Sequence, residues 1–150
     1  MKTAIYLLLC FIFPAAVSAQ TTSLVGDFTH GYTEPKNESV WTVQNTSDMW
    51  TVYSHGAKET FKAKILSEEE RINFWEKMWW PAPTAKQADC LTYDVALICH
   101  IPKKAKIKID RIKKNKSEYF HYDATGGVIE ISLKQKKTGI DAVKPSAPKN

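Results

Sequence analysis

Apolar and polar residues alternate with a period of two along much of the chain, which is the pattern of strands with one buried face. The clearest pair comprises residues 40–44 and 49–53, which share the near-repeat Val-Trp-Thr-Val and Met-Trp-Thr-Val. Turn-forming residues at 45–48 separate them, so the sequence predicts a hairpin. The core side of this hairpin is expected to carry Trp41, Val43, Trp50 and Val52.

Further strands are predicted on both sides of the hairpin. They cover residues 27–33, 59–66, 91–101, 104–112, 118–123 and 128–133. The segment 104–112 alternates most cleanly, and its outer face is expected to carry Lys104, Lys106 and Lys108. Its inner face is expected to carry Ala105, Ile107 and Ile109. Because an unpaired charge is costly in a core, Ile107→Lys is expected to unfold the domain.

A single helix is predicted over residues 67–80, between two sets of strands. Ser67 is a suitable N-cap, and Glu70 three residues later completes a capping box. An apolar stripe with helical spacing predicts that this helix packs onto the sheet. The stripe comprises Ile72, Trp75 and Trp79.

Two adjacent tryptophans, Trp79 and Trp80, stand just before Pro81. Neighbouring helical residues point about 100° apart, so both cannot belong to one apolar stripe. Trp79 continues the stripe and is expected to be buried. Trp80 is expected to be partly exposed, where it can contact a partner. The alternative is that Trp80 packs under the loop 81–90.

The number and type of elements predict the fold class. About seven to nine strands and one helix leave no crossover helices for parallel pairing, so the strands are expected to be antiparallel. The sequence therefore predicts a mainly β (α+β) domain. It is expected to be a meander that forms a barrel or curved sheet, with the helix 67–80 packed on it.

The two ends of the chain have their own patterns. Residues 1–19 combine Lys2, an apolar run and a small-residue site at 17–19, which is typical of a cleaved secretory signal. We therefore expect export to the periplasm or the cell exterior. Residues 20–135 are predicted to form one domain, and 136–150 a disordered basic tail. No apolar run approaches the roughly 20 residues of a transmembrane helix.

Removal of the signal would leave two cysteines, Cys90 and Cys99. An oxidising compartment favours a disulfide between them. Their spacing matches no common zinc site, and free thiols are the other alternative.

The net formal charge of +5 is concentrated in one segment. Residues 103–116 hold eight basic side chains against Asp110, whereas residues 20–102 hold seven basic and eleven acidic ones. The cluster favours an acidic protein partner. Lysines that protect an exposed edge strand from aggregation would give the same pattern. Aromatic residues do not interleave with these lysines, so nucleic-acid binding is not expected.

Residues 119–123, Tyr-Phe-His-Tyr-Asp, carry the most suggestive chemistry. On a strand, Tyr119, His121 and Asp123 share one face. Such a trio can bind a metal ion or move a proton, and it can equally be a solvated face opposite a buried one. The sequence contains no common catalytic, nucleotide-binding or metal-binding motif, so we predict neither an enzyme nor a cofactor.

These features favour a small exported binding protein of inhibitor or immunity type, which blocks a hydrolase or toxin. An acidic patch on the partner is expected to face the lysines, and the remaining predicted contacts are Trp80, Tyr119, His121 and Asp123. One alternative is a barrel that carries an apolar or amphipathic ligand under the helix, in a cavity lined by Trp41, Trp50, Phe61 and Trp75. Another is a hydrolase or metal-binding protein that uses His121 and Asp123.

Overall fold

The structure, a computed structural model, describes residues 22–31 and 38–135. A short 3-10 turn, Thr22–Leu24, precedes the first strand. The strands of this part of the chain are β1 Gly26–His30, β2 Trp41–Thr46, β3 Met49–Ser54, β4 Glu59–Ile65, β5 Asp89–Tyr93, β6 Ala96–His100, β7 Tyr119–Asp123 and β8 Gly127–Gln135. Its helices are α1 Glu68–Lys77, α2 Ala82–Ala85 and α3 Lys103–Lys106.

The strands form a closed antiparallel barrel in sequence order, and β1 completes it by pairing with β8. Helices interrupt the meander only twice in the described ranges, with α1 and α2 between β4 and β5 and α3 between β6 and β7. The predicted mainly β, barrel-like fold with a helix on it is confirmed. Closure pairs every strand on both sides, so edge protection does not explain the lysine cluster.

The β2–β3 hairpin forms as predicted. Val43 lies opposite Val52, and both side chains are fully buried. Ser47 and Asp48 make the turn with φ values of 50° and 65°. Two left-handed residues are what a tight hairpin needs to match the twist of its strands. The predicted core residue Trp50 is half-buried rather than buried.

The interior core fills the inside of the barrel. Every second residue of a strand points inward, and only this inner face can collect side chains from all the strands. The interior core includes Phe28, Trp41, Val43, Val52, Phe61, Leu91, Tyr93, Ile98, Tyr119 and Ile131.

The outer core lies on the other side of the barrel wall, between β5–β8 and the helices. It includes Leu66, Trp75, Trp80, Cys90, Leu97, Cys99, Ile101, Ala105, Ile109, Ile112 and Phe120. Helix α1 begins as predicted, because the Ser67 hydroxyl accepts from the backbone of Glu70 and the Glu70 carboxylate accepts from the backbone of Ser67. Half of the barrel wall is therefore buried on both faces.

The prediction of a strand over 104–112 is wrong. Helix α3 opens this segment, and short-range backbone bonds carry the turns on to Asn115, such as Ile112 N–H to the Ile109 carbonyl. The buried apolar residues are therefore spaced as on a helix. Ile109 is fully buried in the outer core, whereas Ile107 is 55% exposed. Ile107→Lys is consequently not expected to unfold the domain.

Cys90 and Cys99 form the predicted disulfide. They lie directly opposite each other on β5 and β6, with their Cα atoms 4.2 Å apart. On the chain-entropy model a loop this short contributes about 2–3 kcal/mol to stability. A disulfide is consistent with a compartment outside the cytoplasm.

The predicted signal peptide at 1–19 and the predicted tail at 136–150 lie outside the described residues and stay predictions. No helix in the described ranges is both long and apolar enough to cross a membrane.

Candidate functional site

Helix α1 ends in a Schellman motif, with Met78 as its C-cap. The Trp80 N–H donates to the Trp75 carbonyl at 3.0 Å, and the Trp79 N–H donates to the Glu76 carbonyl at 3.1 Å. In this motif the residue after the C-cap adopts the left-handed conformation, and it is usually glycine. Here that residue is Trp79, with φ 57°.

The motif sends the two adjacent tryptophans in different directions. Trp80 makes the apolar contact that accompanies a Schellman motif, with its ring centroid 5.3 Å from that of Trp75. It also meets Phe120 edge to face, and it is buried. Trp79 is 94% exposed. The predictions of a buried Trp79 and a partly exposed Trp80 are therefore wrong, because the helical stripe stops at Met78, whereas the alternative of a buried Trp80 is confirmed.

Trp79 does not stabilise the fold in this position. The left-handed region costs a residue with a Cβ about 1–2 kcal/mol, which glycine would avoid. An indole this exposed gains almost none of the free energy of apolar burial. Exposed aromatic residues on rigid backbone are typical anchors of protein interfaces. Trp79 is therefore a candidate contact residue for a partner.

Sequence reasoning missed Trp79 for an identifiable reason. The spacing Ile72, Trp75, Trp79 predicts a continuous stripe only if the helix reaches residue 80. Pro81 carries the opposite signal, because proline commonly follows shortly after a helix has ended. Ending the helix two or three residues earlier would have moved Trp79 out of the stripe.

The second feature is a pocket of about 510 Å³ beside α3, which we call the lysine pocket. It is lined by Lys103, Lys106, Ile107, Lys113, Asn115, Lys116 and Glu118. Four lysines face a single glutamate, so the lining is strongly cationic. A concave surface of one sign focuses its field and attracts ions of opposite charge.

Lys106 lies at the buried side of this pocket, with 5% of its surface exposed. Its ammonium donates to the backbone carbonyl of Asn115 at 2.5 Å and to that of Ser117 at 2.7 Å. These bonds tie the turns after α3 to the start of β7. Lys104 and Lys108 are exposed and do not line the pocket. The three lysines predicted to share one exposed face therefore differ in position: Lys106 is buried at the pocket, and Lys104 and Lys108 are exposed outside it.

Carboxylates neutralise the pocket only in part. Lys113 pairs with the exposed Asp110 at 2.8 Å, and this bond holds the pKa of the Asp110 carboxyl below its usual range. Glu118 lies 3.2 Å from Nε2 of His100. Within the described ranges, no carboxylate is bonded to the buried Lys106 ammonium, whose partners there are two backbone carbonyls.

His121 lies inside the barrel, 4% exposed. Its ring stacks on Trp41 at 4.2 Å, and Nε2 lies 2.8 Å from the Tyr93 hydroxyl. Nδ1 is buried with no hydrogen-bond partner among the described residues, and it lies 3.8 Å from an Asp123 oxygen. Burial lowers the pKa of His121 to about 4, more than the Asp123 carboxylate raises it.

The other two residues of that predicted face have local partners. The Asp123 carboxylate accepts from Gly126 N–H and from Thr125, and these bonds hold its pKa below the usual range. The Tyr119 hydroxyl donates to the Ser23 carbonyl at 2.9 Å. The reading as a solvated strand face is therefore wrong for His121, and these residues do not join the lysines in one exposed surface.

Within the described ranges, no group of three or more His, Cys, Asp or Glu side chains could hold a metal ion. Comparisons with protein-family models, with characterised proteins and with solved structures find no match for this chain. The function must therefore be argued from the site, which offers an exposed aromatic anchor and a cationic pocket.

Proposed function

We propose that this protein is a small exported binding protein without catalysis, of inhibitor or immunity type, which binds and blocks a hydrolase or toxin. The observation that carries the proposal is Trp79, an exposed indole at a backbone position suited to glycine. Residues held in such conformations cluster at functional sites. Export is supported by the signal-like residues 1–19 and by the disulfide.

The two cores favour a binding protein over a ligand carrier. A carrier was expected to have one cavity lined by Trp41, Trp50, Phe61 and Trp75. The first three belong to the interior core, whereas Trp75 belongs to the outer core, so the barrel wall separates them. Fully buried side chains from several strands meet inside the barrel, including Phe28, Val52 and Ile98. These contacts support a packed scaffold that presents its surface.

The outer core makes that surface rigid beneath Trp79. Trp80 is wedged between Trp75 and Phe120, and the indole N–H of Trp75 donates to the Thr84 hydroxyl at 2.8 Å. A preorganised anchor loses little conformational entropy on binding, so more of its contact energy appears as affinity.

The partner is further proposed to carry an acidic patch that faces residues 103–116. Long-range attraction would then speed association, and salt would screen it over a Debye length of about 8 Å. The exposed residues Lys104 and Lys108 suit this role. Their reversal to glutamate should slow association more than it speeds dissociation, whereas reversal of Lys106 would also break its two backbone bonds.

The test begins with the mature protein immobilised and exposed to the exported fraction of its own source. We expect it to retain a hydrolase or toxin, whose activity it then inhibits with one-to-one stoichiometry. Trp79→Ala should weaken this complex by about 2 kcal/mol or more, or roughly 30-fold, as expected for an interface hot spot.

Met49→Ala is the matched control, because Met49 is another large apolar side chain that is 57% exposed. It should leave binding and inhibition unchanged. A captured partner that binds Trp79→Ala as tightly as the wild type, or whose activity the protein leaves intact, would contradict the proposal.

A further inference from the structure

We propose that the lysine pocket is a peptide-binding subsite that takes the acidic side chains of the partner. The inference rests on the proposed function, in that the ligand is a segment of a protein. It adds the place of contact and the chemistry that is recognised there. The volume of about 510 Å³ is that of an ordinary ligand site and suits a short peptide segment.

Lys106 supplies the strongest reason to expect an anion. An ammonium group has three N–H donors, and the Asn115 and Ser117 carbonyls accept two of them. Burial removes the group from water, and carbonyl dipoles replace only part of its hydration. A carboxylate that entered the pocket would supply the opposite charge that this buried cation lacks.

The neighbouring lysines strengthen this argument. Lys103, Lys113 and Lys116 line the same pocket, so a bound carboxylate would meet several positive charges. Nothing in the packing of α3 requires Lys103 at that position, because its side chain is exposed. Binding of a carboxylate to the folded protein would stabilise the fold by linkage.

The remaining lining residues favour a peptide over a compact inorganic anion. Ile107 offers a largely exposed apolar side chain to the pocket, and Asn115 lies beside it. The Glu118 carboxylate can accept a hydrogen bond from a backbone N–H, which a peptide segment supplies. The lining lysines would bind acidic side chains, and Ile107 would contact an apolar one. The pocket therefore suits a peptide segment in which acidic residues flank an apolar residue.

The first experiment uses the probe acetyl-Glu-Leu-Glu-amide at constant ionic strength. We expect it to shift the NMR amide signals of residues 103–118 in a saturable manner, whereas acetyl-Gln-Leu-Gln-amide should leave them unshifted. Inorganic phosphate is the third arm. Equal shifts with the glutamine peptide, no shifts with either peptide, or tighter binding of phosphate would overturn the proposal.

Adjacent residues on α3 provide a matched pair of variants. Lys103 lines the pocket and Lys104 does not, and both are exposed. Lys103→Met should weaken binding of the acidic probe about threefold, which corresponds to the upper range of an exposed ion pair. Lys104→Met removes the same charge outside the pocket and should weaken binding of this short probe less than Lys103→Met does. Equal weakening by both variants would show that affinity depends only on the net charge of the protein, and it would overturn the proposal.

The apolar contact has its own control. Ile107→Ser should lower the affinity for the acidic probe and leave folding intact, because Ile107 is largely exposed. Binding that is indifferent to Ile107→Ser would contradict a peptide site of this composition.

The partner complex separates this inference from the proposed function. If Trp79→Ala weakens the complex but Lys103→Met and Ile107→Ser do not, the proposed function stands and the lysine pocket is not the subsite. If the acidic probe binds the pocket but Trp79→Ala has no effect on the complex, the pocket stands as a peptide site and the proposed role of Trp79 in binding the partner is refuted.

Discussion

The interior core and the outer core share a wall but treat their polar groups differently. In the outer core, the Trp75 indole N–H donates to the Thr84 hydroxyl, which itself donates to the Pro81 carbonyl at 2.7 Å. In the interior core, His121 bonds to Tyr93, and its Nδ1 is buried with no hydrogen-bond partner in the part of the chain that the structure describes. Hydrogen bonds in the outer core therefore hold Trp75 and Thr84 in place, whereas the interior core holds a group whose charge state affects stability.

The two cores therefore have different roles in the molecule. The outer core fixes the Schellman motif, since Trp80 and Trp75 belong to it, and it thereby positions the exposed Trp79. It also anchors the turns that follow α3, through Ile109 and its neighbours. Both candidate contact features thus lie on segments held by the outer core. The interior core supports the barrel on which these segments rest.

The largest expected effect comes from charging the outer core. Ile109→Lys places a cation where the isoleucine is fully buried, so we expect the protein not to fold. Ile107→Lys should change the free energy of unfolding by less than about 0.5 kcal/mol, because surface substitutions usually do. Urea denaturation followed by circular dichroism compares the two. Similar losses of stability in the two variants would show that Ile107 and Ile109 do not differ in burial as the structure has them.

The next effect concerns the interior core and pH. The pKa of His121 is about 4 in the folded protein and near the ordinary histidine value of 6.5 when unfolded. Between these values the unfolded chain binds more protons, so stability should be full above pH 6.5 and fall as the pH drops towards 4. The full shift corresponds to a loss on the order of 3 kcal/mol.

The control for this pH dependence is His121→Gln, which cannot titrate. Its urea midpoint should be nearly flat between pH 6.5 and 4.5, whatever its absolute stability. The same slope in the variant and the wild type would assign the effect to other groups.

A smaller loss is expected from the disulfide that joins β5 and β6 beneath α1. The double variant Cys90→Ala and Cys99→Ala should lose about 2–3 kcal/mol if the chain-entropy term dominates. Thermal unfolding with and without reductant provides the comparison, since reductant should destabilise only the wild type. A reduced wild type as stable as the oxidised one would show that the outer core does not depend on the bond.

The sequence predicted the barrel well because most strands are separated by turns with clear residue signals. Ser47 and Asp48, for example, adopt the left-handed conformations that a tight hairpin needs. The capping box at Ser67 and Glu70 likewise depends only on residues close in the chain. Local chemistry decides such features, so they can be derived without tertiary contacts.

Other features depend on contacts that local patterns do not encode. Lys106 alternates with apolar neighbours like an exposed strand residue, yet its ammonium is buried against two carbonyls of a later turn. His121 lies on a strand whose two faces are both covered, so alternation could not tell an inner from an outer face. The exposure of Trp79 can be predicted only if the end of helix α1 is known, and residue propensities determine helix ends poorly.

The central claim is that Trp79 serves binding at some cost to stability, and Trp79→Gly tests both halves at once. Glycine fits the left-handed position, so the free energy of unfolding should rise by about 1 kcal/mol. With the indole removed, the affinity for the captured partner should fall roughly 30-fold or more. Trp79→Ala should match the loss of binding without the gain in stability. A Trp79→Gly variant that is less stable than the wild type and binds the partner equally well would contradict the account.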